Sequence, residues 1–76
     1  MVDAVIMVKT DAGQSEETVV AVRELENVRE AHVVAGEFDI IAEVSADEVY
    51  DVLHTASSSI QGLAGVLNTK TYIAMD

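Results

Sequence analysis

The sequence predicts an α+β domain of order β-α-β-β-α-β, and three observations carry that reading. Short apolar runs suited to strands open the chain, flank Gly36 in its middle and close it. Two stretches with apolar residues at helical spacing lie between them. At 76 residues there is room for one hydrophobic core, so all six elements belong to one domain, residues 1–76.

Residues 3–9 form a nearly continuous apolar run, the pattern of a strand buried on both faces. After a loop at 10–14, Ser15 is an N-cap candidate, with Glu16 and Glu17 placed in the first turn where the helix dipole favours them. Val19, Val22 and Leu25 follow helical spacing and Asn27 can close the turn, which predicts a helix over 16–26. Residues 28–35 and 38–45 read as two strands around Gly36-Glu37, a pair suited to a two-residue type II′ hairpin. That register sets Val33 opposite Ile40 and Glu30 opposite Glu43. The second pair is like-charged and unfavourable, which calls for a longer loop or for a cation or partner between them. Ser45-Ala-Asp-Glu48 matches a capping box and starts a predicted helix over 46–58, with Val49, Val52, Leu53, Ala56 and Ile60 on one face. Residues 61–65 form a loop. Residues 66–75 form a last strand with Leu67, Thr69, Thr71, Ile73 and Met75 on one side.

Right-handed crossovers turn this order into the ferredoxin-like βαββαβ sandwich, a four-stranded antiparallel sheet with two helices on one face. The first and third strands are central. The face that the helices leave uncovered should alternate to polar residues, but Val5, Met7 and Ile41 point there. An uncovered apolar sheet face implies a partner sheet, so a homo-oligomer, at least a dimer, is expected.

Composition narrows the function. Fourteen acidic residues face four basic ones, Lys9, Arg23, Arg29 and Lys70, for a net charge of −10. Nucleic-acid binding needs several phosphate-neutralising cations, so direct contact with DNA or RNA is not expected, nor is binding to anionic membranes. The absence of cysteine removes disulfides and thiolate metal sites. No long apolar span and no cationic leader precede the first strand, so a cytoplasmic protein is expected. Half of the residues are apolar and the mean hydropathy is +0.28, so the chain is acidic and hydrophobic at once. An acidic, lysine-poor surface suits a salt-rich cytoplasm that screens self-repulsion, and salt adaptation (a halophilic source) is the expectation.

Catalytic patterns are absent. His32 and His54 lie on different elements without metal-ligand spacing. Ser57-Ser-Ser59 lacks a nucleophile-elbow context and reads as a fraying helix end. There is no phosphate-binding glycine loop, and no cofactor is expected. The element order also serves RNA-recognition modules, but those need exposed aromatics and basic charge.

Val33-Val-Ala-Gly-Glu-Phe-Asp-Ile-Ile resembles the Gly-x-Tyr/Phe-Asp hairpin of the ligand-sensing domain of Lrp/AsnC transcriptional regulators. Leu63-Ala-Gly-Val-Leu-Asn-Thr-Lys-Thr-Tyr-Ile is similar to that family's closing strand. The segments at 4–9 and 26–32 fit the same register. The likeness runs from about residue 3 to 75 and lacks the family's helix-turn-helix, so the chain looks like a stand-alone sensing (RAM) domain. The resemblance implies dimers joined back to back by their sheets, rings of such dimers, and an amino acid or related small molecule bound between dimers. Carried over by position, the ligand-facing residues are Val34, Ala35, Gly36 and Asp39, with Gln61, Thr69 and Thr71 as additions. Asp39 would accept the ammonium. Backbone N–H groups near Gly36, and the Gln61 amide, would hold the carboxylate. Phe38 replaces the commoner Tyr and removes its hydroxyl. Read from the residues alone, Gly36 is a turn glycine, Asp39 a turn carboxylate, Thr69 and Thr71 ordinary strand residues, and Gln61 a helix cap.

The expectation is therefore a non-catalytic amino-acid-binding and oligomerisation domain that modulates transcription or amino-acid metabolism through full-length Lrp/AsnC-type regulators. Alternatives are an amino-acid-sensing module of the ACT type, a small dimeric ferredoxin-like enzyme with a cleft inside one subunit, or a ligand-free assembly module.

Overall fold

The structure, a computed structural model, describes residues 1–76. It contains β1 (Val2–Thr10), α1 (Ser15–Arg23), β2 (Val28–Val33), β3 (Ile40–Ala46), α2 (Val49–His54) and β4 (Val66–Ile73), and a π-helical turn at Thr55–Ile60 extends α2. The strands form one antiparallel sheet in the order β2-β3-β1-β4, with the first and third strands central. Both helices pack on one face. No helix is long and apolar enough to cross a membrane.

The core lies between that face and the helices. Ala4, Ile6 and Val8 of β1 alternate inward with Val44, Ala42 and Ile40 opposite them. Val19 and Val22 of α1 are buried against this surface. Val52, Ala56 and Ile60 of the second helical segment belong to the same buried cluster. Burying a side chain such as Ile6 fully contributes about 1.5–3 kcal/mol.

Several local expectations are corrected. Ser15 is the first helical residue rather than the cap, and Gln14 precedes it without a side-chain cap bond. The first helix ends at Arg23, not at residue 26. The chain then tightens into i→i+3 bonds from Glu24 to Ala21 and from Leu25 to Val22. Asn27 follows with φ 77°, the left-handed conformation that Asn tolerates.

The capping box does not form. Ser45 is paired with Asp3 in the sheet, and its hydroxyl donates to the Asp3 carboxylate. The helix therefore begins at Val49, preceded by Glu48 with no side-chain cap. Its buried side carries Val52, Thr55, Ala56 and Ile60. Val49 and Leu53 stay 45% and 47% exposed. The triple-serine stretch is ordered within the π-turn, which is closed by Gln61 N–H bonding Ala56 O at 3.3 Å.

The type II′ hairpin is also replaced. β2 ends at Val33 and β3 begins at Ile40, so residues 34–39 form a longer connection whose closing bond runs from Val34 N–H to Asp39 O at 2.8 Å. Gly36 is not left-handed, as a type II′ turn would require. The expected register nonetheless holds, with Val33 opposite Ile40 and Glu30 opposite Glu43. A bulge at Arg29 lets both Val28 and Ala31 face inward. A second irregularity pairs Thr10 with Val66, so Leu67 is pushed outward and is 60% exposed. The last strand stops at Ile73, and Met75 lies beyond it, 93% exposed.

Candidate functional site

The face without helices carries Asp3, Val5, Met7 and Lys9 from β1 and Ile41, Glu43 and Ser45 from β3. β2 adds Glu30 and His32, and β4 adds Lys70 and Tyr72. Val5, Met7 and Ile41 are half-buried on this face. Two open depressions lie here. One, of about 500 Å³, is bordered by Asp3, Arg29, Glu30, Glu43, Ser45 and Tyr72. The other, of about 360 Å³, lies against the hairpin and is formed by Val34, Ala35, Gly36 and Phe38 with Met7, Ile41 and Tyr72.

The hairpin is folded over the end of β1 by three bonds. Asp39 N–H donates to Val8 O at 2.9 Å. Thr10 N–H donates to Asp39 Oδ2 at 2.8 Å. The Lys9 ammonium donates to Glu37 O at 3.0 Å. This anchoring draws 35–38 away from a tight turn. No acceptor within the chain takes the N–H groups of Ala35, Gly36, Glu37 or Phe38, and the second oxygen of Asp39 accepts no bond. A Cβ on Gly36 would meet nothing within 4 Å, so the depression is open directly above it.

The structure brings together only part of the expected residue set. Val34, Ala35 and Gly36 line the hairpin depression, and Asp39 anchors its rim. Thr69 and Thr71 pair with Val8 and Ile6, so they face the helices. Gln61 Nε2 donates to Thr69 Oγ1 at 2.7 Å on that same side. Gln61, Thr69 and Thr71 are thus separated from the hairpin depression by the sheet. Met7 and Ile41, expected only as apolar residues of the uncovered face, and Tyr72 border the hairpin depression without having been expected as site residues. Their strand parity was the available signal, since each stands out of phase with its strand's inward residues.

His32 faces the open side opposite Ile41, its Nε2 3.4 Å from Glu30 Oε1. His54 stacks on Tyr50 along α2 with ring centroids 6.4 Å apart. Neither histidine borders either depression.

The βαββαβ sandwich with one bare sheet face and a hairpin-edged depression fixes the fold class but not the function, which the same architecture leaves open. Residues 3–76 match the Lrp/AsnC ligand binding domain, and the chain belongs to that family. The proline dehydrogenase transcriptional activator of Rhizobium radiobacter is 33% identical over 60 residues, 79% of this chain and 38% of that protein. The leucine-responsive regulatory protein of Haemophilus influenzae is 30% identical over 61 residues, 80% of this chain and 37% of that protein. The match thus spans well under half of each regulator. Solved structures agree. A Thermus thermophilus protein superposes with TM-score 0.95 at 26% identity, covering 100% of this chain and 95% of that one. A hypothetical protein of Pyrococcus horikoshii gives TM-score 0.89 at 33% identity, covering 99% and 90%. A transcriptional regulator of Neisseria meningitidis, solved as an L-Met complex, shares the fold with TM-score 0.84 at 18% identity, covering 99% and 50%.

Proposed function

We propose that this chain is a non-catalytic sensing domain that binds an amino acid or a related small molecule at the 34–39 hairpin and oligomerises around it. The observation that carries the reading is the chemistry of that hairpin. Four consecutive N–H groups, from Ala35 to Phe38, have no acceptor within the chain and are free to hold a carboxylate. Asp39 keeps one oxygen for an ammonium. Met7, Ile41 and Tyr72 offer an apolar floor for a side chain. The L-Met complex of the structurally similar Neisseria meningitidis regulator supports this ligand class.

Gln61, Thr69 and Thr71 reach such a ligand only from a second copy. A site completed between copies, in dimers or rings of dimers, makes assembly respond to ligand, because a ligand shifts oligomer populations by its differential affinity for them. Full-length Lrp/AsnC-type regulators are the partners through which such a shift reaches transcription.

Calorimetric titration with each of the twenty amino acids in molar KCl tests the reading. At least one should bind wild type, and Gly36→Val, whose side chain fills the open space above the hairpin, should lose it while still folding. No heat from any of the twenty overturns the ligand assignment.

A further inference from the structure

We propose that the outward side of α2 is a docking surface for a basic amphipathic helix of a partner protein. This surface lies on the helix layer, across the sheet from the hairpin depression, and is independent of the ligand reading.

The two helices of that layer expose different chemistry. The exposed residues of α1 are Glu16, Glu17, Val20 and Arg23, a solvated side with one apolar member. Those of α2 are Val49, Tyr50, Leu53 and His54. Their spacing of i, i+1, i+4 and i+5 puts all four on one side of the helix. Tyr50 is 75% exposed, although its ring already stacks on His54 with the planes 2° from parallel. The core does not need these residues, because Val52, Thr55, Ala56 and Ile60 are buried on the other side. An exposed apolar stripe of this kind marks an interaction surface.

Charge selects the occupant. Asp47 and Glu48 are exposed immediately before the stripe, and Asp51 lies in its first turn. None of the three has an ion-pair partner, since the one ion pair of the chain joins His32 and Glu30. No lysine or arginine occurs between Arg29 and Lys70. A second copy meeting this side through its own α2 would set three carboxylates against three, and nucleic acid or an anionic bilayer would be repelled in the same way. The complementary occupant carries cations around apolar anchors. A helix fits best, because ridges formed by i, i+4 pairs such as Val49 and Leu53 pack into the grooves of another helix. Amphipathic helices present apolar anchors at matching spacing.

Fluorescence anisotropy with a synthetic probe tests the proposal. The probe is a labelled peptide of about 18 residues made of Leu and Lys, with Leu at helical spacing. Its control has the same composition, shuffled so that no apolar face forms. The segregated peptide should bind wild type at least about tenfold more tightly than the shuffled one in about 0.1 M KCl. Tyr50→Gln/Leu53→Gln keeps every carboxylate, and Asp47→Asn/Glu48→Gln keeps the stripe; each should weaken binding at least about tenfold. Circular dichroism confirms that each variant folds. Backbone amide NMR shifts of wild type should move at residues 47–57 and not at 34–39. No binding, equal binding of the two peptides, unchanged binding by either variant, or shifts centred on 34–39 overturns the proposal. Sedimentation equilibrium of the chain without peptide should give Tyr50→Gln/Leu53→Gln the same assembly state as wild type. Loss of assembly in that variant would make the stripe a contact between copies and overturn the partner assignment.

Discussion

Asp39 and Thr10, 29 residues apart, are joined by a 2.8 Å hydrogen bond from the Thr10 backbone N–H to Asp39 Oδ2. The bond pins the hairpin to the end of β1 and leaves the other carboxylate oxygen uncommitted. On the proposed reading of the site, this one side chain has two separable roles, shaping the rim and presenting charge to a ligand.

Asp39→Ala leaves the N–H of buried Thr10 without its acceptor. Such a loss costs about 1–3 kcal/mol. Asp39→Asn keeps a carbonyl acceptor and should cost less than half as much. Urea denaturation distinguishes them. If amino-acid binding vanishes in the Asn variant while its stability is retained, the charge itself meets the ligand.

The glycines should respond unequally to alanine. Gly65 has φ +89°, and a Cβ there would lie 3.1 Å from Thr18 Oγ1. The left-handed backbone alone costs a non-glycine residue about 1–2 kcal/mol, so Gly65→Ala should lower stability by at least that much. Gly36 has neither constraint. Gly36→Ala should change the unfolding free energy by no more than about 0.5 kcal/mol.

Asn27 combines a left-handed backbone with a 3.2 Å bond from its amide to Thr55 Oγ1, tying the α1–β2 turn to the second helical segment. Asn27→Gly removes the bond but tolerates the backbone, at a cost of about 1 kcal/mol. Asn27→Ala loses both and should cost about 2 kcal/mol. Equal midpoints for the two variants in thermal unfolding would show that the backbone conformation contributes nothing.

Ile6 is fully buried between the central strands and the helices. Truncation to Ala should destabilise by about 2–5 kcal/mol. Met75→Ala, at a position 93% exposed, should stay within about 0.5 kcal/mol. Denaturant midpoints measured side by side give the comparison.

Fourteen acidic residues face only four basic ones, for a net charge of −10. Raising KCl from 0.1 to 1 M shortens the screening length from about 10 to about 3 Å. The thermal midpoint should therefore rise across that range. A midpoint that does not move would show that self-repulsion is not what limits stability.

Element order, central strands and the two sheet faces were legible because each depends on residue periodicity. The β1 alternation is one example: Ala4, Ile6 and Val8 against Val5 and Met7 remains visible whatever the chain later touches. The Glu30–Glu43 opposition was legible for the same reason, since a register once begun is arithmetic. The hairpin was legible as a place but not as a shape. Gly36 suits a tight turn by local rules, but the bonds from Asp39 and Glu37 to β1 hold the segment open.

The sequence by itself therefore determined the architecture, the bare apolar face and the charge balance. Only the tertiary structure decided where Ser45 spends its hydroxyl and where the second helix starts. It also decided which strand residues slip at the bulges, and that Gln61 and Thr69 bond each other across the sheet from the hairpin. The physical reason is the same in each case. Periodicity is a local property of the chain, whereas a cap, a turn or a bulge is settled by competition between a nearby partner and a remote one. In this protein the remote partners, Asp3 for Ser45 and Thr10 for Asp39, take the bonds that local rules would assign elsewhere.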